Sequence, residues 1–508
     1  MEGYEMLQVG WLSILPPLLA IILALLTKEV YSSLLVGVAS GLIIYSCSAG
    51  TGILEGIFMV PKMMAEQIGE NGFMILFLSL LGAVVAVVTM AGGSRAYGNW
   101  ASKKIKSPAG AKTCTAALGL LIFIDDYFNC LTVGTVMQPV TDKFKIAREK
   151  LAYLIDATAA PICIISPISS WAVAVAGQLG TETDGFAAFV QAIPYNFYAL
   201  LTIIMVLFLC LTKFDFGPMK KAELEAKTKD YEDTGVSDEI QGIHVSPNGR
   251  VMDLVIPIVV LVICSILGMA YAGGYFTGEM GFIEAIGEQP TFGLSLGAFA
   301  ALVVAAVMYL PRKLLTFRDF MAGCVSGVKS MVPAIMILTF AWSLSSTCRY
   351  MLGTGPFVSG VVESSGVPLS ILPAFVFLIA AFLSFSMGTA WGTFGILLPI
   401  VISICSGDAG APYMLSAMGA TLAGSVYGDH CSPISDTTIL SSTGAKCDHL
   451  KHVSTQLPYT TFVAAICFVG YLLVGIMKSP WIPLLCSTAL MFLCFFLLSK
   501  FEGKKQAE

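Results

Sequence analysis

Charge is what this sequence has least of. Only 12% of its 508 residues are Asp, Glu, Lys or Arg, against roughly a quarter in an ordinary soluble domain. No CxxC pair and no His/Cys spacing suited to zinc occurs. The 14 cysteines sit mostly singly inside apolar runs, as at Cys47, Cys264, Cys405 and Cys467. They read as small packing residues in a reducing setting, not as a disulfide framework. No basic, aromatic-interleaved stretch suggests nucleic acid, and no motif calls for an organic cofactor. No Lys or Arg precedes the first apolar run, so a cleaved signal peptide is not expected.

What the chain has instead is apolar length. It is 56% hydrophobic, with a mean hydropathy of +0.82. Runs near twenty residues recur throughout, each able to cross about 30 Å of hydrocarbon. The fold expected is an all-α polytopic membrane protein embedded in lipid. Candidate spans are 10–27, 30–49, 72–91, 150–178, 187–211, 251–272, 291–310, 331–348, 412–440, 456–477 and 480–499. Two more apolar stretches, 108–143 and 370–404, carry polar residues and glycine in the middle and read as re-entrant hairpins.

Charge placement tests that choice. Eleven spans and two hairpins, threaded from an outside N-terminus, leave only Lys62, Arg349 and Lys478 outside; the other 25 of the 28 basic residues fall inside. Such a bias is what the positive-inside rule requires. It predicts a bacterial inner-membrane protein with its N-terminus outside and its C-terminus cytoplasmic. Making either hairpin a full span would invert everything after it. Two amphipathic stretches, 53–68 and 312–332, are expected to lie along the interface.

The chain also echoes itself. SPISS at 166–170 returns as SPISD at 432–436, 266 residues later; IPYNFYAL at 193–200 returns as LPYTTFVA at 457–464, 264 later; Pro139 returns as Pro399, 260 later. The expected organisation is a first repeat (10–211), a cytoplasmic linker (212–250), a second repeat (251–477) and an extra C-terminal helix and tail (478–508). Five spans plus a hairpin is an odd number of crossings, so the second copy would insert inverted. Inverted repeats with paired broken helices are a transporter signature.

A charged side chain at membrane depth costs about 2.5–3.5 kcal/mol on insertion scales. The first hairpin nevertheless carries Asp125, Asp126 and Asn129. The next span carries Asp156, then breaks near Pro161 and Ser166-Pro167. The second hairpin offers hydroxyls, among them Ser386 and Thr389. The last broken span, GDHCSPISDTT, brings Asp429, His430, Ser432, Ser435, Asp436, Thr437 and Thr438. By the repeat offsets Asp429 pairs with Cys163, Asp436 with Ser170, and Asp125 and Asp126 with Phe385 and Ser386, so the carboxylates are not duplicated. A mid-span proline frees carbonyls that lipid cannot satisfy. Those carbonyls, with Asp, Ser and Thr oxygens, suit a hard cation such as sodium. Asp253, Asp142, Asp408 and Asp448 lie at span ends or in loops and receive no role.

Over these residues the sequence resembles the NhaC-type sodium/proton antiporters of the ion-transporter superfamily. The resemblance rests on GDHCSPISDTTILSSTGAKCDHLKHVSTQLPY and on FIDDYFNCLTVGTVMQPVTDKFKIAREKLAYLIDATAAPICIISPISSWA. It implies inverted repeats, two hairpins, two broken helices, sodium handling around Asp429 and Asp436, and a homodimer. The mechanism expected is sodium and protons competing for buried aspartates, since a desolvated carboxylate favours its proton and a bound sodium favours the ionised form. Asp429 and Asp436 are the expected sodium ligands, with Ser432, Ser435 and Thr437 assisting and Asp156 and Asp125 as coupling or proton-carrying groups. The alternative cargo is a small organic solute, an amino acid before a carboxylate such as malate or lactate. Asp126, Asn129, Ser166, Ser169, Ser386, Thr389 and His430 would then line its pocket. An intramembrane aspartyl protease could use Asp156 and Asp429 but leaves the duplicated breaks without a purpose; no enzyme activity is expected.

Overall fold

The computed structural model describes residues 4–27, 29–179, 185–228, 239–240, 243–278, 281–282, 285, 289–354, 356–357, 368–433 and 435–505. Apart from two paired two-residue strands, β1 (Glu239–Ile240) and β2 (Ile243–His244), the regular structure is helical. The first helices are α1 (Leu15–Thr27), α2 (Val30–Ser48), α3 (Ile53–Glu70), α4 (Gly72–Met90) and α5 (Gly93–Lys104). There follow α6 (Pro108–Leu121), α7 (Asp126–Lys143), α8 (Arg148–Cys163), α9 (Ser170–Ala176), α10 (Gly185–Ala192), α11 (Phe197–Leu211) and α12 (Gly217–Ala226). After the strands come α13 (Met252–Ala272), α14 (Pro290–Tyr309), α15 (Phe317–Ser346), α16 (Leu372–Met387) and α17 (Ala390–Cys405). The last are α18 (Met414–Cys431), α19 (Asp436–Gly444), α20 (His449–Met477) and α21 (Trp481–Lys505).

Eight described helices are long and apolar enough to cross a membrane, or nine if α10 and α11 count as one span. This is a multi-pass membrane protein. The α10–α11 pair bends by 51°, so the span expected at 187–211 is kinked. Pro194 interrupts it there, and Asn196 caps α11 by accepting the Ala199 N–H. The stretch 312–332 does not form a separate interfacial helix. It runs without a break into the following span as α15, a 30-residue helix about 45 Å long. Pro333 is its one interior proline, and its interior glycines pack instead of hinging: Gly327 lies so close to Gly82 of α4 that a Cβ would fall 2.0 Å from the Gly82 carbonyl.

Both expected hairpins are helix–turn–helix units, α6–α7 and α16–α17. α16, with the turn before it, is apolar enough over 369–387 to cross by itself. The repeat is visible in where helices begin. α6 and α16 start 264 residues apart, at Pro108 and Leu372, and α7 and α17 also 264 apart, at Asp126 and Ala390. α8 and α18 start 266 apart, at Arg148 and Met414, and α9 and α19 also 266 apart, at Ser170 and Asp436. This corrects one pairing: Asp125 matches Thr389, and Asp126 matches Ala390, because the two prolines used as a landmark sit at different depths in α7 and α17.

Three of the four unassigned aspartates, Asp253, Asp142 and Asp448, have structural work. Asp253 is buried against Arg312, and the Tyr309 hydroxyl donates to its carbonyl at 2.6 Å. Asp142 pairs with Arg148 at 2.9 Å. Asp448 caps α20 through the Lys451 N–H. All fourteen cysteines are free; Cys405 and Cys467 are buried as expected, but Cys47 is exposed and Cys264 half-buried on outward faces.

Candidate functional site

Four breaks in helices define the site, and each is held by side chains that satisfy the freed backbone. At the end of α6 the Asn129 amide donates to the carbonyls of Gly119 (2.7 Å), Ile122 (2.9 Å) and, across on α8, Thr158 (3.2 Å). Asn129 is therefore a brace for the first break, with both amide hydrogens spent on backbone. After α8, Ser166 donates to Ile162 O at 2.7 Å, and Ser169 donates to Cys163 O at 2.7 Å while capping α9 through the Ala172 N–H. Between α16 and α17, Gly388 adopts φ +70°, a left-handed turn that glycine makes at no steric cost. Thr389 then caps α17, and Ser386 lies half-buried just before the turn. After α18, Ser435 caps α19 through the Thr438 N–H.

The breaks lock to one another. Ser170 donates its N–H to Ile124 O at 2.9 Å and its hydroxyl to Asp125 at 3.4 Å, joining the α8–α9 break to the α6–α7 turn. Ser432 donates to Phe385 O at 2.7 Å, joining the α18–α19 break to α16. Gly428 makes that approach possible, since a Cβ there would sit 2.2 Å from the Ala381 carbonyl. α19 returns against α7, where Gly134 and Gly444 touch backbone to backbone.

Inside this ring lie buried carboxylates. Thr437 donates to Asp429 Oδ2 at 2.6 Å, and the Thr437 and Ser435 hydroxyls are 3.2 Å apart. Asp429, Ser432, Ser435 and Thr437 are thus brought together as the sequence predicts. Asp436 opens α19 in the same segment; its side chain lies outside the described residues. Asp125 and Asp126 are buried at the α6–α7 turn.

Asp156 has a different company. Its Oδ2 accepts from Gln456 Nε2 at 2.6 Å and from the Thr438 hydroxyl at 3.2 Å. His452 Nε2 stands 3.5 Å from Oδ2, and His430 Nε2 4.0 Å from Oδ1. Gln456 also donates to the His430 carbonyl at 2.8 Å, and His430 Nδ1 meets the Tyr198 hydroxyl at 3.0 Å. All of these side chains are buried. The ring of His430, a residue expected in a solute pocket, lies between Tyr198 and Asp156. Thr438 stands in the segment the sequence singles out, whereas His452, Gln456 and Tyr198 are not singled out by sequence reasoning. The available signal was the i, i+4 spacing of His452 and Gln456, which puts both on one face of α20. Among the described residues no three His, Cys, Asp or Glu side chains are grouped to hold a metal ion; hydroxyl and carbonyl oxygens, which bind sodium, stand beside Asp429.

Broken helices that pool carboxylates, imidazoles and hydroxyls inside a membrane-spanning bundle define a secondary transporter. Residues 176–476 match the Na+/H+ antiporter family, and the chain belongs to that family. An uncharacterised protein of Haemophilus influenzae is 39% identical, covering 92% of this chain and 91% of its own. The malate-2H+/Na+-lactate antiporter of Bacillus subtilis is 29% identical over 36% of this chain and 42% of its own. The arginine/ornithine antiporter ArcD of Halobacterium salinarum is 39% identical over 32% of this chain and 33% of its own.

Proposed function

We propose that this chain is a sodium/proton antiporter of a bacterial cell membrane, in which sodium and protons compete for the linked carboxylates of the break region. The observation that carries this reading is the position of the Thr438 hydroxyl, 3.2 Å from Asp156 Oδ2 and 3.4 Å from the main-chain carbonyl of Asp429, so that its one proton is shared between the two residues. Sodium is held by Asp429 with the Ser432, Ser435 and Thr437 oxygens, and Asp436 completes the set. Asp156, flanked by His452 and His430, carries the proton, and Asp125 couples the first hairpin to the cycle. When sodium enters, Thr437 releases Asp429 from its hydrogen bond and turns an oxygen towards the ion; the shift passes through Thr438 to Asp156, whose proton leaves to water on the side from which sodium entered. Residues 10–211 and 251–477 act as inverted repeats that move against each other, joined by 212–250 and extended by 478–508. The basic residues favour an outside N-terminus and a cytoplasmic C-terminus, and pairing of two chains accords with the resemblance.

Calorimetric titration of the purified chain with sodium chloride tests the ion site. A saturable sodium heat, lost in Asp429→Asn at unchanged thermal stability, is expected. Normal sodium binding by that variant would remove Asp429 from the site.

A second reading, sodium-coupled exchange of a small organic solute, is favoured by the names of two relatives, a malate-2H+/Na+-lactate antiporter, which names sodium, and an arginine/ornithine antiporter, which names amino acids alone. It keeps the same ion site and adds a pocket.

A further inference from the structure

Three indole N–H groups, on Trp171, Trp342 and Trp391, are buried with no hydrogen-bond partner among the described residues. Buried tryptophans ordinarily find an acceptor. A position needed only for packing would accept phenylalanine, which brings no donor to satisfy.

Their placement gives two of the three a shared purpose. Trp171 is the second residue of α9, just past the α8–α9 break, and Trp391 the second residue of α17, just past the Gly388 turn. The two rings meet at 5.2 Å between centroids, and Phe394 closes the triangle at 5.4 and 5.6 Å. Trp342 approaches from α15, where a Cβ at Gly177 would fall 2.8 Å from its ring nitrogen. The next residue, Gln178, has both amide atoms buried without a partner. Indoles only donate, so what these rings lack is an acceptor such as a carboxylate, while Gln178 lacks both a donor and an acceptor. Ser170, which precedes Trp171, bonds Asp125, and that carboxylate suits an ammonium. The ring faces between them suit an apolar side chain and attract a cation.

We propose that Trp171, Trp391 and Phe394 form the subsite for an α-amino acid with an apolar side chain, its carboxylate on the indole N–H groups and its ammonium towards Asp125. This deepens the second reading of the function and rests on it.

The test is a fluorescence titration of the purified full-length chain with L-leucine and L-phenylalanine, with and without sodium. Acetate and n-butylamine serve as half-molecule controls, and calorimetric sodium binding is measured on the same preparation. A saturable response that needs sodium is expected from the amino acids, with neither control matching it. Trp171→Phe and Trp391→Phe keep the ring and lose the donor, so the apparent affinity should fall about tenfold, as for a hydrogen bond to a charged group. The exposed Trp11→Phe should behave as the parent. No amino-acid response from protein that still binds sodium overturns the subsite and leaves the antiport reading standing. A response unchanged in both buried variants, or reproduced by butylamine alone, overturns the carboxylate assignment. A response indifferent to sodium leaves the subsite and overturns the coupling on which the second reading depends.

Discussion

Thr437 and Asn129 show how differently polar side chains inside one membrane bundle are employed. Thr437 gives its proton to Asp429 Oδ2 at 2.6 Å, a bond that an arriving cation can replace. Thr437→Val should therefore weaken sodium affinity by about tenfold, the scale of one bond to a charged group, and sodium titration would show it. Asn129 spends both amide hydrogens on three backbone carbonyls. In Asn129→Leu those carbonyls are stranded, and each buried unsatisfied group costs about 1–3 kcal/mol. A marked fall in unfolding temperature in detergent is the expected outcome; a variant as stable as the parent but unable to take up solute would restore Asn129 to a binding pocket. The carboxylates and hydroxyls of GDHCSPISDTT were legible in sequence, because a carboxylate in an apolar run needs a reason. The imidazole of His452 was not: it meets Asp156 across nearly three hundred residues, and only the packing of α20 on α8 brings them together.

At the scale of elements, what could be read was the punctuation. Ser-Pro or glycine marks three of the four breaks, the α6–α7 turn at 122–125 carrying neither, and serine or threonine caps restart α9, α17 and α19. What could not be read was how far a helix continues once begun, since α15 swallows a stretch whose amphipathic pattern suggests an interface. Register within the second hairpin was also hidden, because matching prolines do not fix where a helix starts. α12, in the linker, is joined to the bundle by Glu223, which accepts the Ala147 N–H at 3.1 Å. Burial first, then the Asp215 carboxylate, holds the Glu223 carboxyl above its ordinary range, against the pull of Lys150, the Ala147 N–H and Lys112. A raised folded pKa means its stabilising contribution is present below the ordinary carboxyl range and is lost as pH rises through the raised value. Hydrogen exchange over 217–226, corrected for intrinsic rates, should therefore speed up across that window, and Glu223→Gln should flatten the step. Exchange that ignores pH in the parent would show that α12 is held by other contacts.

For the whole molecule, the breaks lock within each half, the α6–α7 turn to the α8–α9 break and the α18–α19 break to α16, while α19 against α7 and the Thr438–Asp156 bond tie one half to the other. Any relative motion of the halves must therefore reorganise the carboxylates, which is the coupling an exchanger requires. The most direct measurement uses proteoliposomes loaded with a pH-sensitive dye and given a sodium pulse outside, with no organic solute present. The account predicts prompt internal alkalinisation that disappears in both Asp429→Asn and Asp156→Asn. A flat trace from folded, sodium-binding protein, or alkalinisation that survives both substitutions, would contradict it.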